Sequence, residues 1–300
     1  MTSQLHTFLL TCLLTQQVTG LMKTVSLDMS PNAFDDQYEG CVKEMEEKAP
    51  QLLKEDFKRN AQLKQEWDKA EQRWKEIKKT MSYPKGFHDF HGTALVAYTG
   101  DIYKGFNGAV REFKKNSNNF QYKAFHYYLT RALQLLSNHN CYSVYRGTKI
   151  KFHYSGQGSV RFGQFASSSL QESVAVRDFV QSAKGTLFVI KTCLGVYIKP
   201  FSYSPEQEEV LIPGYEVYHK ITVTPSSKGY DKIVLDSPQR MKSNFNCFYS
   251  DSAQTDNSHV MSSGARDSLA FLLLVLPAAL LVQLLPLAEL QFPAACSLWV

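Results

Sequence analysis

The chain has 300 residues, 44% of them hydrophobic and 20% charged, with a formal net charge of +5. These are globular proportions and exclude bulk disorder and collagen-like repeats. Acids interleave the basic residues, as at Lys54-Glu55-Asp56, so no run resembles a nucleic-acid-binding arm and no nucleic-acid partner is expected.

Residues 1–20 hold an apolar stretch from Phe8 to Leu14, followed by the small residues Val18 and Gly20. That order predicts a secretory signal cleaved after Gly20, with a buried core helix as the alternative. Residues 50–80 are dense in Lys, Glu and Gln. Trp67, Ala70, Trp74 and Ile77 recur there at three and four, which predicts a helix whose charged face is solvated surface. Pro84-Lys85-Gly86 ends it. Further helices are predicted over His88–Thr99, over Tyr122–Leu136, and from Asp101 with Tyr103, Phe106, Val110 and Phe113 on the inner side.

After Cys141 the pattern turns to short aromatic and β-branched runs. Strands are predicted over Tyr142–Arg146, Ile150–Tyr154, Val160–Phe165, Leu187–Ile198, Glu209–Ile212, Tyr215–Thr224 and Lys232–Leu235, with one helix over Glu172–Ser182 among them. Helices followed by strands predict an α+β fold, helical over about 41–140 and stranded over about 141–247. No GxGxxG follows a strand and no GxxxxGK[ST] occurs, which argues against Rossmann and P-loop nucleotide sites.

At the C-terminal end Leu269–Ala288 is apolar apart from Gln283 and long enough to cross a bilayer, yet its far flank offers only Glu289 in place of basic residues. Small residues precede it at Ser262-Ser263-Gly264-Ala265. The combination predicts a GPI-anchor signal: a stalk over 248–262, attachment at Ser262 or Ser263, and a propeptide over 263–300, with a transmembrane helix as the alternative. The protein is then expected on the extracellular face of the plasma membrane. Cys12 and Cys296 leave with the ends, and Cys41, Cys141, Cys193 and Cys247 remain. Four cysteines in a secreted chain predict two disulfides, with three pairings open. No Cys/His spacing supports zinc, so no metal is expected, and no Asn-x-Ser/Thr acceptor is present.

Three polar sites stand out in the stranded part. Arg146 ends a strand within Val144-Tyr145-Arg146-Gly147-Thr148; Ser167-Ser168-Ser169 follows Phe162-Gly163-Gln164-Phe165; Gln207-Glu208-Glu209 precedes Val210-Leu211-Ile212. Strand alternation sends Gln207 and Glu209 to one side. Taken singly, these read as a surface cation, a serine loop and edge acids that guard a strand. No GxSxG elbow encloses the serines, which argues against a nucleophile.

Taken together and in order, Arg, Ser and Gln/Glu-x-Glu resemble the R-S-E signature of the mono-ADP-ribosyltransferases. YRGT at 145–148, RFGQFASSSL at 161–170 and EEVLIPGYEV at 208–217 are close to the vertebrate ecto-enzymes, those of the rodent T-cell surface above all. FDDQYEGC at 34–41 and FHGTALVAYT at 90–99 are similar to the same family.

The resemblance implies a helical subdomain followed by a β-sandwich core with an NAD cleft, forming one catalytic domain over 21–247. NAD is then a substrate whose nicotinamide–ribose bond is broken, and no cofactor is required. Glu209 would stabilise the sugar cation, Arg146 would hold a phosphate or ribose oxygen, and Ser167 would orient NAD and support Glu209. Gly147 would let the backbone approach the nicotinamide amide, and Tyr98, Gln164 and Ser202 would be further NAD contacts. Arginine-modifying members carry Glu where this chain has Gln207. This departure predicts chiefly an NAD glycohydrolase, with water as the preferred acceptor and weak transfer to arginine side chains of surface proteins. The alternatives are an arginine-specific protein ADP-ribosyltransferase and an inactive surface interaction protein. The family pattern also implies the disulfides Cys41–Cys247 and Cys141–Cys193.

Overall fold

The computed structural model describes residues 24–180, 185–225 and 229–250. The predicted signal at 1–20, the stalk beyond Ser250, the attachment residue Ser262 and the propeptide at 263–300 lie outside the described residues. No helix among the described residues is long and apolar enough to cross a membrane.

Where one helix was expected over 50–80, the chain forms two, α1 (Val42–Arg59) and α2 (Ala61–Ile77). Asn60 separates them: its side chain accepts the Leu63 N–H at 2.9 Å and caps α2. α1 begins well before residue 50 because Met45, Ala49, Leu52 and Leu53 form a buried stripe of their own. α2 buries Leu63, Trp67, Ala70 and Trp74. α3 (Asp89–Tyr98) is buried from His91 to Tyr98. It lies directly against α2 because Gly92 has no side chain; a Cβ there would sit 2.3 Å from the Trp74 ring.

α4 (Tyr103–Arg111) buries Phe106 and Val110, with buried Phe113 just beyond it. Tyr103, expected to face inward, is instead 37% exposed. α5 (Lys123–Leu136) buries Phe125, Leu129, Ala132 and Leu133.

The stranded part starts from β1 (Thr24–Ser26), which pairs in parallel with β3 (Lys151–His153). The remaining strands are β2 (Tyr142–Thr148), β4 (Val160–Arg161), β5 (Ala166–Ser169), β6 (Thr186–Thr192), β7 (Val196–Tyr197), β8 (Glu209–Ile212), β9 (Glu216–Pro225) and β10 (Asp231–Arg240). They hydrogen-bond in the order β4-β9-β10-β6-β2-β5-β8-β7, antiparallel except for β10 with β6.

Of the predicted strands, the one over Val160–Phe165 is cut short and the one over Leu187–Ile198 is broken in two. Gly163, at φ +72°, turns the chain between β4 and β5, and Cys193-Leu194-Gly195 separates β6 from β7. The helix predicted over Glu172–Ser182 starts at Glu172 and continues as a π-helix over Ala175–Val180; residues 181–182 lie outside the described residues.

Within this order β2 and β5 are joined at the one residue pair Tyr145 with Ser169. Val144, Phe188, Ile190 and Ile233 on one side of that joint pack with Ala166, Val210 and Ile212 on the other in a single buried cluster. Along β8 the alternation of period two is complete: Val210 and Ile212 enter this cluster, while Leu211 joins the helical core with Phe165, Ile198 and Phe201. β8 is therefore buried on both faces.

Two disulfides form, Cys41–Cys247 and Cys141–Cys193. Beside the second, the buried Glu216 carboxylate accepts from Thr192 Oγ1, the N–H groups of Cys193 and Leu194, and the Tyr218 hydroxyl. Beside the first, Asp36 accepts from the N–H groups of Cys247 and Phe248. Asp35 accepts from those of Asn244 and Phe245 and pairs with buried Arg161 at 2.6 Å. The acidic pair of the 34–41 stretch thus binds the returning C-terminal strap.

Cys41 and Cys247 lie 206 residues apart, so their bond closes nearly the whole domain; a chain-entropy estimate for such a loop is roughly 5 kcal/mol. Replacing both by serine is expected to lower the calorimetric melting midpoint clearly while leaving the far-ultraviolet spectrum native-like. An unchanged midpoint would show that Asp35 and Asp36 hold the strap by themselves.

Candidate active site

A cavity of about 1240 Å³ opens between the polar faces of α2 and α4 and the ends of β2, β5 and β8. That exceeds the roughly 300–1,000 Å³ usual for a small-molecule site. Tyr98, Arg146, Gly147, Gln164, Ser167, Gln207 and Glu209 all line it. Residues up to 111 positions apart in sequence therefore meet at one surface.

Arg146 lies inside β2, which runs on to Thr148, rather than at its end. Its Nη1 donates to the Ser167 carbonyl at 2.6 Å, and the guanidinium stands 5.9 Å from the Phe162 ring centre. Bond and ring together fix the cation at the cleft.

The three serines are distinguished by where their hydroxyls go. Ser168 donates to the Val210 carbonyl at 2.7 Å, and Ser169 donates to the Gln207 carbonyl at 2.7 Å. Both brace β5 against the segment leading into β8. Ser167 lines the cavity with its hydroxyl beside the Glu209 carboxylate.

Glu209 is the first residue of β8 and only 7% exposed. Burial pushes its carboxyl above the ordinary glutamate range, and the Ser167 hydroxyl and the Arg146 charge oppose that shift.

Gln207 does reach the same cavity as Glu209, but not by strand alternation. It ends the 3₁₀ turn Pro205–Gln207, and Glu208 follows in the left-handed region at φ +48°. For a residue with a side chain that conformation is strained. The Glu208 carboxylate accepts from the Tyr197 hydroxyl and pairs with the Lys199 ammonium. The turn is thereby tied to β7 and the segment after it.

Gly147 has a packing reason as well as a place in the cleft. A Cβ would sit 2.0 Å from the Ala175 carbonyl, so only glycine lets the π-helix close on β2. Tyr98 donates to the Phe165 carbonyl at 3.2 Å and accepts from Asn107 Nδ2 at 3.0 Å; burial pushes its phenol up to about 12. Gln164 Oε1 and Asn107 Oδ1 are buried with no hydrogen-bond partner, so both are open to a ligand donor.

Ser202 is placed differently from the expectation. It does not line the cavity; it is buried behind it, its hydroxyl accepting the Ser204 N–H at 3.0 Å and its carbonyl accepting Arg73 Nη2 at 3.0 Å. It supports Tyr203 and Ser204, which do line the cavity.

The charged face of α2, read from sequence as solvated surface, is a wall of the cavity through Glu66, Lys69, Arg73 and Glu76. α4 contributes Tyr103, Asn107 and Arg111, spaced i, i+4, i+8 on one face. That polar stripe was visible beside the apolar one, but polar stripes ordinarily face water.

Over most of its length the chain is similar to proteins of one enzyme family. The family model described as NAD:arginine ADP-ribosyltransferase matches residues 27–243. The mouse T-cell ecto-ADP-ribosyltransferase 2 is 64% identical over 290 residues, 97% of this chain and 100% of that protein. The mouse GPI-linked NAD(P)(+)–arginine ADP-ribosyltransferase 1 is 39% identical over 241 residues, 74% of this chain and 73% of that protein. The crystal structure of the eucaryotic mono-ADP-ribosyltransferase ART2.2 superposes with a TM-score of 0.72 at 66% identity, covering 75% of this chain and 100% of that one. A mutant of ART2.2 in complex with NAD matches with a TM-score of 0.71. By sequence and by fold, this chain belongs to the NAD:arginine ADP-ribosyltransferase family.

Proposed function

We propose that this is a cell-surface enzyme that cleaves the nicotinamide–ribose bond of NAD and passes ADP-ribose chiefly to water, with weaker transfer to arginine side chains. The observation that carries the reading is the buried Glu209 carboxylate, flanked by the Ser167 hydroxyl and the Arg146 cation and facing the same cavity as Gln207. An inactive surface protein would have no need for these groups to converge. Residues 21–247 form the catalytic domain, preceded by the signal at 1–20 and followed by the 248–262 stalk. The outer-leaflet GPI anchor is attached at Ser262 once the 263–300 propeptide is removed. The ecto- and GPI-linked names of the relatives support that placement.

NAD is the substrate and no cofactor takes part. Arg146 and Arg111 offer guanidinium forks to the pyrophosphate and ribose oxygens. Tyr98, Gln164 and Asn107 supply neutral polar contacts. As the C1′–N bond lengthens, its electron pair leaves with nicotinamide and positive charge spreads over C1′ and the ring oxygen. Glu209 accepts a hydrogen bond from a ribose hydroxyl and stabilises that charge, in a site dry enough for the interaction to count. Water then adds to C1′ and releases a proton, giving ADP-ribose and nicotinamide.

Transfer to arginine requires more. A protonated guanidinium has no free electron pair and must lose a proton to attack. A carboxylate at 207 could accept that proton; the Gln207 amide cannot, although it can orient the acceptor. Water, which needs less help, is therefore favoured.

Three outcomes follow. Glu209→Ala is expected to lower kcat for NAD cleavage by roughly 10²–10³-fold, the range for losing one electrostatic stabiliser, with NAD affinity nearly unchanged in equilibrium binding. The pH profile should carry the mark of burial. The ionised carboxylate is lost as pH falls through its raised pKa, so the acid limb of kcat/KM, which reports the free enzyme, lies above the ordinary glutamate value, and Ser167→Ala moves it higher still. Gln207→Glu should raise transfer to an arginine analogue relative to hydrolysis by about 10²-fold, the lower end of a general-base contribution. A product assay with labelled NAD reads both channels, and an unchanged ratio would contradict the assignment of Gln207.

A further inference from the structure

The segment between β7 and β8 carries Gln207 to the cavity and is tethered near both ends. At its start the Ser202 carbonyl accepts Arg73 Nη2 at 3.0 Å and the Tyr203 N–H donates to Thr99 Oγ1 at 3.2 Å, which fixes it to the helical wall. At its end the tether is Glu208. Of the consecutive residues 207, 208 and 209, the first and third line the cavity and Glu208 does not. The Glu208 carboxylate instead accepts from the Tyr197 hydroxyl and pairs with the Lys199 ammonium, neither of which lines the cavity.

This outer pair holds a residue in a conformation it does not favour. Glu208 is left-handed at φ +48°, where a Cβ crowds the backbone and glycine or asparagine is the usual occupant. Gln207 closes a 3₁₀ turn and Glu209 opens a strand, and the left-handed residue joins the two. The carbonyls of Gln207 and Glu208 accept from Ser169 Oγ and the Leu170 N–H, so the turn is docked on β5 and the pair adds the twist at residue 208. Glu209 is fixed without it: Glu209 pairs with Ser169 in β5, and its carbonyl accepts the Ile198 N–H at 2.9 Å.

We propose that Glu208, held by Lys199 and Tyr197, is a positioning residue for acceptor choice: the pair keeps Gln207 aimed at the reacting carbon and so sets the partition between water and a guanidinium acceptor, without acting in NAD cleavage. This role rests on the reaction proposed above. Because Glu208 does not line the cavity, it acts only through Gln207. When the pair is broken the left-handed residue relaxes and the Gln207 amide loses its fixed direction. A guanidinium then loses a group that orients it, whereas water has no such requirement. Transfer weakens while cleavage, which depends on Glu209, continues.

The test pairs hydrogen–deuterium exchange over residues 199–208 of the disulfide-intact protein with a labelled-NAD product assay in the presence of agmatine. Lys199→Met and Glu208→Met each break the pair from one side. Exchange in the turn is expected to quicken by about tenfold in both, the scale of the left-handed strain released. The ratio of agmatine adduct to ADP-ribose should fall by about tenfold and the KM for agmatine should rise, while kcat and KM for NAD stay within about twofold. Glu208→Asn loses the pair but favours the left-handed conformation, so its ratio should return most of the way to the parent value. The ratio is read both with Gln207 and in Gln207→Glu, where transfer is expected to be stronger. Unchanged exchange, an unchanged ratio, NAD turnover lost in step with transfer, or a Glu208→Asn ratio as low as that of Glu208→Met would overturn the role of Glu208. A parent enzyme that leaves NAD intact would overturn the proposed reaction and this role with it; the exchange rates, which need no substrate, tell the two failures apart.

Discussion

A carboxylate at the head of a strand buried on both faces is the constraint on which the rest of the site depends. Glu209 begins β8, whose next three residues are consumed by two different cores. Its neighbours exclude water, so the charge has little solvent to stabilise it. The Ser167 hydroxyl and the Arg146 cation are what the fold supplies instead. In the proposed reaction, the same dryness that raises the carboxyl pKa would let the ionised form act strongly on a developing cation.

The surrounding polar groups are arranged so that few remain uncommitted. Ser168 and Ser169 spend their hydroxyls on backbone carbonyls of the β8 segment. Arg146 is held by the Ser167 carbonyl, so the backbone of β5 positions the cation while its side chain addresses the carboxylate. Glu208 absorbs backbone strain and is tied down by Tyr197 and Lys199. That turn carries Gln207 and Glu209 into one cavity although they do not share a strand face.

The elements most legible in the sequence were those with one dominant periodicity. β8 begins and ends where its pattern says, and α3 and α5 lie within a residue of expectation at each end. The break at Asn60 was hidden because helical patterns run on both sides of a single capping residue. The long predicted strand over 187–198 hid a turn at Gly195, where apolar residues continue through the bend. The meeting of Arg146, Ser167 and Glu209 at one cavity was legible through their motifs and order, since each sits in a short distinctive phrase. What was not legible was the role of polar faces. The α2 residues Lys69 and Arg73 read as surface until the opposing strands close a cavity over them. Ser202 does not line the cavity; its hydroxyl accepts the Ser204 N–H and braces the loop that does.

In the proposed reaction Glu209 stands against the reacting carbon of the bound dinucleotide. The most direct measurement is a crystal structure of the Glu209→Gln variant, which keeps the shape and removes the charge, soaked with NAD. The account predicts the nicotinamide ribose beside residue 209, its C1′ and hydroxyls within about 3–3.5 Å of that side chain, with the pyrophosphate toward Arg146. A nicotinamide ribose bound elsewhere in the cavity, with residue 209 facing adenine or solvent, would contradict it.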